Sequence, residues 1–389
     1  MKMADSRLMQ KRKILIVSSS FYPANSPRSF RTTELVKEFA RQGHEVTLLT
    51  IKDDEYHIPF EERYGITIKD LGPLQFPEIT LNGDRGVSRF FKRIMRRGLL
   101  QLLEYPNIEL LFRVKNALKT ESGYDILISI AVPHPIHWGV AKAMKGKAKV
   151  ADLWIADCGD PYMGSEIDSF NKMFHFKYLE KEFCRKTDVI TVPVEDAKLG
   201  YYPEFRDKIE VIPQGFRFDE VEIDHSSYHK HEVPTFAYAG GFIPGGRDPR
   251  PFLNHLLSAN CDFKFIIYTK SSALVEPLVE KSSGRIEIRD YIPRNELLKI
   301  LSTMDFLVNF ENQSSTMVPS KLIDYYLAGR PVLNVSANEI DAERVDQFLE
   351  GNYEYRYKYN DVDQYRIENV CSQFLKLYYK AEDHVSVKQ

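Results

Sequence analysis

Ser320, Lys321 and Asp324 stand close together in the stretch TMVPSKLIDYYLAGRPVL, which runs from Thr316 to Leu333. Leu322, Tyr326 and Leu327 recur at helical spacing, Gly329 ends the run and Pro331 blocks continuation, so the pattern predicts a buried helix with Pro319 and Ser320 at its mouth. Backbone N–H groups and the dipole at a helix N-terminus favour an anion. Lys321 adds a point charge suited to a diphosphate. Asp324 follows one turn later on the same face. A carboxylate there accepts hydrogen bonds from two sugar hydroxyls. Together these residues describe a site for a nucleoside diphosphate.

A second segment, YAGGFIPGGRDPRPFLNHLL, carries compatible chemistry. Gly240 and Gly241 fall at a strand end, where the lack of Cβ lets backbone approach a ligand. Gly245 and Gly246 supply a turn, Arg247 follows beside Asp248, and Pro249 suits a first helical turn. Strand, glycine turn, arginine and helix start are the ingredients of a phosphate site. A surface turn with a solvated arginine is the other reading of this segment alone. No GxGxxG follows a strand, and the chain has neither GxxxxGK[ST] nor GxSxG. Nicotinamide, P-loop and α/β-hydrolase chemistries are therefore not expected.

Strands must aim these groups. Apolar runs predict strands at KILIVSS, EVTLLTI, DILISIA, VADLWIA, DVITVPV and KIEVIPQ, and again at TFAYAGG, FKFIIYT, RIEIRDY, DFLVNFE and PVLNVSA. Helical patterns alternate with them, which predicts an α/β protein of two doubly wound, Rossmann-like domains. The expected division is residues 1–220, a polar linker at 221–234 and residues 235–365, followed by a last helix over 366–389. Ligands of such sheets bind at the carboxyl ends of the strands. His225, His229 and His231 are read as part of the solvated linker, since no Cys or carboxylate arrangement completes a ligand set.

Composition sets the outer bounds. A chain of 389 residues with 43% hydrophobic and 28% charged residues has the make-up of a globular protein of two domains. A formal net charge of -2 argues against a general nucleic-acid binder. Cys158, Cys184, Cys261 and Cys371 form no CxxC pair and are expected as free thiols. No apolar run approaches the roughly 18–20 residues that span a bilayer, and MKMADSRLMQKRK has no apolar core segment, so a cytoplasmic protein is expected.

PSKLIDYYLAGRPVL resembles the donor-site helix of glycosyltransferase family 4, P-[ST]-K-hydrophobic-x-E-Y-hydrophobic-A-x-G-[KR]-P-V. ILIVSSSFYPANSPRSFRTTELVKEFARQGHEVTLLT resembles the family's opening strand, loop and helix. YAGGFIPGGRDPRPFL, VPHPIHWGVAKAM and WIADCGDPY resemble segments of members that assemble bacterial surface polysaccharide and O-antigen. The resemblance implies the GT-B fold, in which two such domains face each other across a cleft and the last helix packs back on the first. It implies retaining, metal-independent transfer of a sugar from a nucleotide-diphosphate sugar to a glycan or lipid-linked acceptor, with no cofactor. By position, Arg247 and Lys321 would hold the diphosphate, with support from Ser320 and the backbone near Gly240 and Gly241. Asp324 stands at the ribose-binding glutamate. Cations and a helix N-terminus at the leaving diphosphate would stabilise the charge that develops there.

Two positions depart from the family pattern. Thr316 stands where a sugar-holding glutamate is usual, and Gly159 where an arginine is usual. On the acceptor side, His137 aligns with the histidine of PP-x-x-x-H. Contact with the sugar or acceptor and a structural role both remain open for it. Asp157 or Asp160 would orient the acceptor hydroxyl, with helix capping by Asp160 before Pro161 as the alternative. Arg28 and Arg31 would meet an anionic acceptor or the donor phosphates. A solvated helix face is the simpler account of Arg31. The Asp361–Asp363 stretch, DVD, reads as a solvated turn rather than a metal site.

The segment 85–103 interleaves Arg89, Lys92, Arg93, Arg96 and Arg97 with Phe90, Phe91, Ile94, Met95, Leu99 and Leu100. Such a basic amphipathic helix reads as a peripheral contact with anionic membrane. The alternative is a core-packed helix with a solvated basic face. A nucleotide-sugar epimerase on the same fold and a non-catalytic nucleotide-sugar-binding protein are the rival functions.

Overall fold

The structure, a computed structural model, describes residues 10–77, 79, 86–144, 149–164, 172–220, 222–244, 246–311, 320–336 and 339–386. It divides into two compact units, Met1–Phe216 with Gln364–Gln389, and Arg217–Asp363.

In the first unit the order is β1 (Lys13–Val17), α1 (Pro27–Arg41), β2 (Glu45–Thr50), α2 (Asp54–Tyr64), β3 (Thr67–Asp70), α3 (Gly86–Leu103), α4 (Glu109–Ala117), β4 (Tyr124–Ile130), α5 (Pro135–Ala143), β5 (Ala151–Asp157), α6 (Phe176–Lys186), β6 (Val189–Val192) and β7 (Ile209–Val211). The strands lie in the order β3-β2-β1-β4-β5-β6-β7, and every pairing is parallel. Helices cover both faces, so central strands are apolar throughout, as in Ile14–Val17 and Ile126–Ile128. The edge strand β3 was not expected from the sequence. Three of its four residues are exposed, and its TIKD carries no apolar run. Ser26 starts α1 by accepting from the Ser29 N–H, with Pro27 in the first turn.

The second unit runs β8 (Thr235–Ala239), α7 (Arg250–Ser258), β9 (Lys264–Tyr268), α8 (Glu276–Val279), β10 (Ile286–Arg289), α9 (Arg294–Leu301), β11 (Phe306–Phe310), α10 (Ser320–Ala328), β12 (Val332–Val335) and α11 (Ala342–Leu349). Its strands are ordered β10-β9-β8-β11-β12, again all parallel. Strand order reverses between β8 and β11, which places the expected ligand crevice at their carboxyl ends.

Two connections run between the units. The segment 221–234 belongs to the second unit rather than hanging free. Asp305 accepts from the Tyr228 hydroxyl at 2.8 Å, the His231 N–H at 3.2 Å and the Thr235 N–H at 2.7 Å. The Arg330 guanidinium covers the Tyr228 ring at 3.4 Å. The last helix, α12 (Ile367–Ser386), groups with the first unit. Phe216 donates to the Tyr365 carbonyl at 2.8 Å, and Ile367 donates back to Phe216 at 2.9 Å. Ile367, Val370, Phe374 and Leu375 then pack in one core with Leu35 and Phe39 of α1.

Candidate functional site

In the second unit, β8 delivers Tyr238 and then the Gly240–Gly241 turn. Gly240 has φ +152°, and a Cβ on it would stand 2.9 Å from the Tyr238 hydroxyl. Glycine is required there on both counts. The Tyr238 hydroxyl donates to the Gly241 carbonyl at 2.8 Å, and the Gly240 N–H donates to Tyr268 at 3.0 Å. The loop then folds on itself, with Gly246 donating to Ile243 at 3.0 Å and Ile243 to Arg247 at 3.1 Å. This closed turn directs Arg247 back toward the Tyr238 hydroxyl, close enough to act on it electrostatically. Asp248 is engaged by Arg250, the first residue of α7, through the backbone N–H at 3.1 Å and through the guanidinium.

Helix α10 brings Lys321 to the same place. Its buried face is Leu322, Ile323, Tyr325 and Ala328. Tyr326, expected on that face, is 41% exposed. The Tyr325 hydroxyl accepts from the Ala239 N–H at 3.0 Å and ties the helix to the end of β8. Lys321 Nζ lies 4.6 Å from the centroid of the Tyr238 ring. Two cations therefore converge on one tyrosine. Neither Lys321 Nζ nor Arg247 Nε is solvent-exposed, and neither has a hydrogen-bond partner among the described residues. Burial, with repulsion from Arg247, pushes the Lys321 ammonium down to about 7. Burial pushes Tyr238 up to about 12, against the opposing pull of Arg247. A part-buried pair of cations that forms no salt bridge among the described residues suits an anion of two or more charges.

Asp324 lies one turn beyond Lys321, partly exposed. Its Oδ1 accepts from Nε of Arg294 at 2.8 Å, and Nη2 stands 2.6 Å from the same oxygen as an ion-pair contact outside hydrogen-bond geometry. Arg294 was missed in the sequence. The available signal was its place at a helix start just after β10, the same carboxyl-end rule that singled out Arg247. Tyr238 was missed as well, because its apolar neighbours made it look like core. Ser320 begins α10 as backbone, and its side chain lies outside the described residues, as do Thr316 and Gly245. Asp361 and Asp363 are exposed. Among the described residues no group of three or more His, Cys, Asp and Glu could hold a metal ion.

In the first unit the sequence candidates meet at the ends of β4 and β5, and several roles change. His137 is 0% exposed. Its Nδ1 is 2.8 Å from the Ser129 hydroxyl and its Nε2 is 3.3 Å from Cys158 Sγ. Burial holds the ring neutral, well below its ordinary value. Both nitrogens are used inside the core, so His137 is not placed to touch a substrate. Arg31 is buried, not on a solvated face. It clamps Asp157 with Nε at 3.0 Å and Nη2 at 2.8 Å. Asp157 also accepts from Thr191 at 2.8 Å. Burial alone would raise the Asp157 carboxyl, but Arg31 at both oxygens, Arg28 and the Thr191 hydroxyl together outweigh it and hold it below the usual range. Asp157 is thus the counter-ion of a buried pair rather than a free acceptor-orienting carboxylate.

Arg28 and Asp160 remain nearer the surface. Arg28 Nη1 stands 3.7 Å from Asp157, and its guanidinium lies against Gly159. Residues 159–164 are bends and a turn with no helix among them, so Asp160 caps no helix at Pro161. Its backbone is hydrogen-bonded by His134, a buried ring that burial and Lys172 pull down to about 3.

Helix α3 is not packed in the core. Phe90, Phe91, Ile94 and Met95 are each more than half exposed, alongside Arg89, Arg93, Arg96 and Arg97. The helix is held at its C-terminal end, where the Tyr162 hydroxyl donates to Glu104 at 2.7 Å and His175 contacts the Leu102 carbonyl at 2.9 Å. Among the described residues no helix is long and apolar enough to cross a membrane.

No protein-family model matches the chain, and no curated protein matches it in sequence. Solved structures do match it. TarM is 10% identical with a TM-score of 0.62, over 95% of this chain and 99% of its own. A glycosyltransferase from Rickettsia africae ESF-5 is 12% identical with a TM-score of 0.61, over 96% and 99%. Anabaena Alr3699/HepE, solved with UDP-glucose, is 10% identical with a TM-score of 0.54, over 97% and 99%. What this chain shares with them is the fold: α/β, with two parallel-sheet Rossmann-like domains of the GT-B type.

Proposed function

We propose that this chain is a glycosyltransferase of the family 4 type. It transfers a sugar from a nucleotide-diphosphate sugar to a glycan or lipid-linked acceptor in surface polysaccharide assembly. The observation that carries the reading is the convergence of Arg247 and Lys321 on Tyr238, with Lys321 Nζ and Arg247 Nε shielded from solvent and neither residue in a salt bridge among the described residues. HepE was solved with UDP-glucose, and TarM of S. aureus with fondaparinux, alpha-GlcNAc-glycerol and UDP. Those complexes support a nucleotide-sugar donor and a glycan acceptor for this fold.

In this mechanism the sugar–phosphate bond breaks as positive charge grows on the ring and negative charge on the leaving diphosphate. Arg247 and Lys321 meet that negative charge in a site shielded from water, where fixed charges act most strongly. These two cations supply the charge stabilisation that a divalent metal supplies in other transferases, so the reaction is proposed as metal-independent, with retention as in family 4. Asp324 binds the ribose. The acceptor enters by the first unit near Arg28 and Asp160. Helix α3 docks on anionic membrane: its exposed phenylalanines enter the interface and its basic residues face the headgroups, each worth about 1 kcal/mol near such a surface. The proposed location is the cytoplasmic face of that membrane, beside a lipid-linked acceptor.

A thermal-shift panel of UDP-, GDP-, ADP- and dTDP-sugars tests the donor, since a ligand of the folded state raises its stability. One nucleotide-sugar should raise the melting temperature, and incubation with an acceptor glycan should release the free nucleoside diphosphate. A protein stabilised by none of them contradicts the reading.

A further inference from the structure

The nucleoside end of the proposed site contains a relationship that bears on which donors it takes. Arg294, at the start of α9, puts both Nε and Nη2 on the same oxygen of Asp324, at 2.8 and 2.6 Å. A carboxylate has two oxygens, and it grips a vicinal diol side by side by giving one oxygen to each hydroxyl donor. Here Oδ1 is already taken by a charge-assisted contact, the strong kind. The residue is also an aspartate. Its carboxylate sits one methylene, roughly 1.5 Å, nearer the helix than a glutamate's would. The pair is partly exposed, with side-chain accessibilities of 28% for Arg294 and 21% for Asp324.

We propose that Arg294 is a specificity-determining residue of the nucleoside subsite. By holding Asp324 Oδ1 it leaves the carboxylate able to serve one ribose hydroxyl. The site then takes 2′-deoxyribonucleoside diphosphates about as well as their ribose counterparts. The donor class thereby extends to deoxyribonucleotide sugars. This rests on the donor-site reading above. It adds a discrimination that follows from the ion pair and not from the diphosphate cations.

The test is calorimetric binding of matched pairs to the full chain: UDP with 2′-deoxy-UDP, GDP with 2′-deoxy-GDP, ADP with 2′-deoxy-ADP. The pair with the preferred base should bind within about 3-fold of each other. In Arg294→Gln, which frees Oδ1, the ribose form should gain a preference of about 10-fold or more, the usual worth of a hydrogen bond to a charged group. Arg294→Lys serves as a second variant that keeps a cation but not the two-nitrogen contact, and should show an intermediate ratio. A native protein that binds the ribose form more than 10-fold tighter overturns the inference while leaving the diphosphate site standing. An unchanged ratio in both variants overturns it as well. Failure of every pair to bind overturns the donor-site reading itself, and this inference with it.

Discussion

The Arg28 guanidinium occupies the space that a side chain at Gly159 would fill: a Cβ on Gly159 would lie 2.9 Å from Arg28 Cζ and 3.0 Å from Nε. Relatives of the resembled family usually carry arginine at the Gly159 position. The guanidinium here reaches the end of β5 from the start of α1 instead.

That relationship predicts a mutual exclusion. Gly159→Arg should destabilise the protein by about 1–3 kcal/mol, since it adds bulk and like charge against Arg28. Arg28→Ala in the same chain should recover most of the loss. Urea unfolding of the four members of the double-mutant cycle measures the coupling. Additive effects would show that the two residues do not share the space.

Lys321 predicts a pH dependence of nucleotide binding. The free protein holds its ammonium down to about 7, chiefly through burial and then through Arg247. A bound diphosphate favours the charged form, so binding takes up a proton above that pH. Affinity should therefore fall as pH rises from about 7 towards 9, by up to tenfold per unit. Lys321→Arg should flatten the slope, because arginine stays protonated. Stability without ligand runs the other way. The unfolded chain binds a proton at Lys321 between about 7 and the ordinary lysine value, so this group's contribution to stability rises with pH across that window.

His137 is predicted to act through stability. His137→Ala leaves Ser129 and Cys158 facing a cavity and should cost about 2–4 kcal/mol. The folded fraction should keep its donor KM. A normal melting temperature with kcat lost would restore a catalytic role. Acid should also destabilise the native chain. His134 and His137 are held neutral when folded, whereas the unfolded chain protonates them below about 6.5, so stability falls as pH drops through that value.

Helix α3 predicts binding to anionic vesicles. The native protein should sediment with phosphatidylglycerol-containing liposomes at low salt and be released by high salt. Arg93→Glu, Arg96→Glu and Arg97→Glu together should abolish it. Binding that survives the triple change would assign the surface another role.

The sheets were legible because buried parallel strands read as continuous apolar runs; β3 was not, because its residues are mostly exposed. Lys321 and Arg247 were legible because a helix mouth and a glycine turn are local patterns. The partners that define the other candidates are distant in the chain. Arg31 meets Asp157 across 126 positions, and Arg294 meets Asp324 across 30. No spacing rule reaches that far, so Arg31 read as solvated and Asp157 as free. The helix period of α10 was also too coarse: it selected Tyr326, which is exposed, and passed over Ile323 and Tyr325, which are buried beside Leu322.

The most direct measurement of the central claim is calorimetric affinity for the preferred nucleoside diphosphate in the native protein, Lys321→Ala and Arg247→Ala, each checked for an unchanged melting temperature. The account predicts a loss of at least about 10-fold in each variant, because each removes a charge-assisted contact to the diphosphate. Affinity unchanged in both folded variants would contradict it.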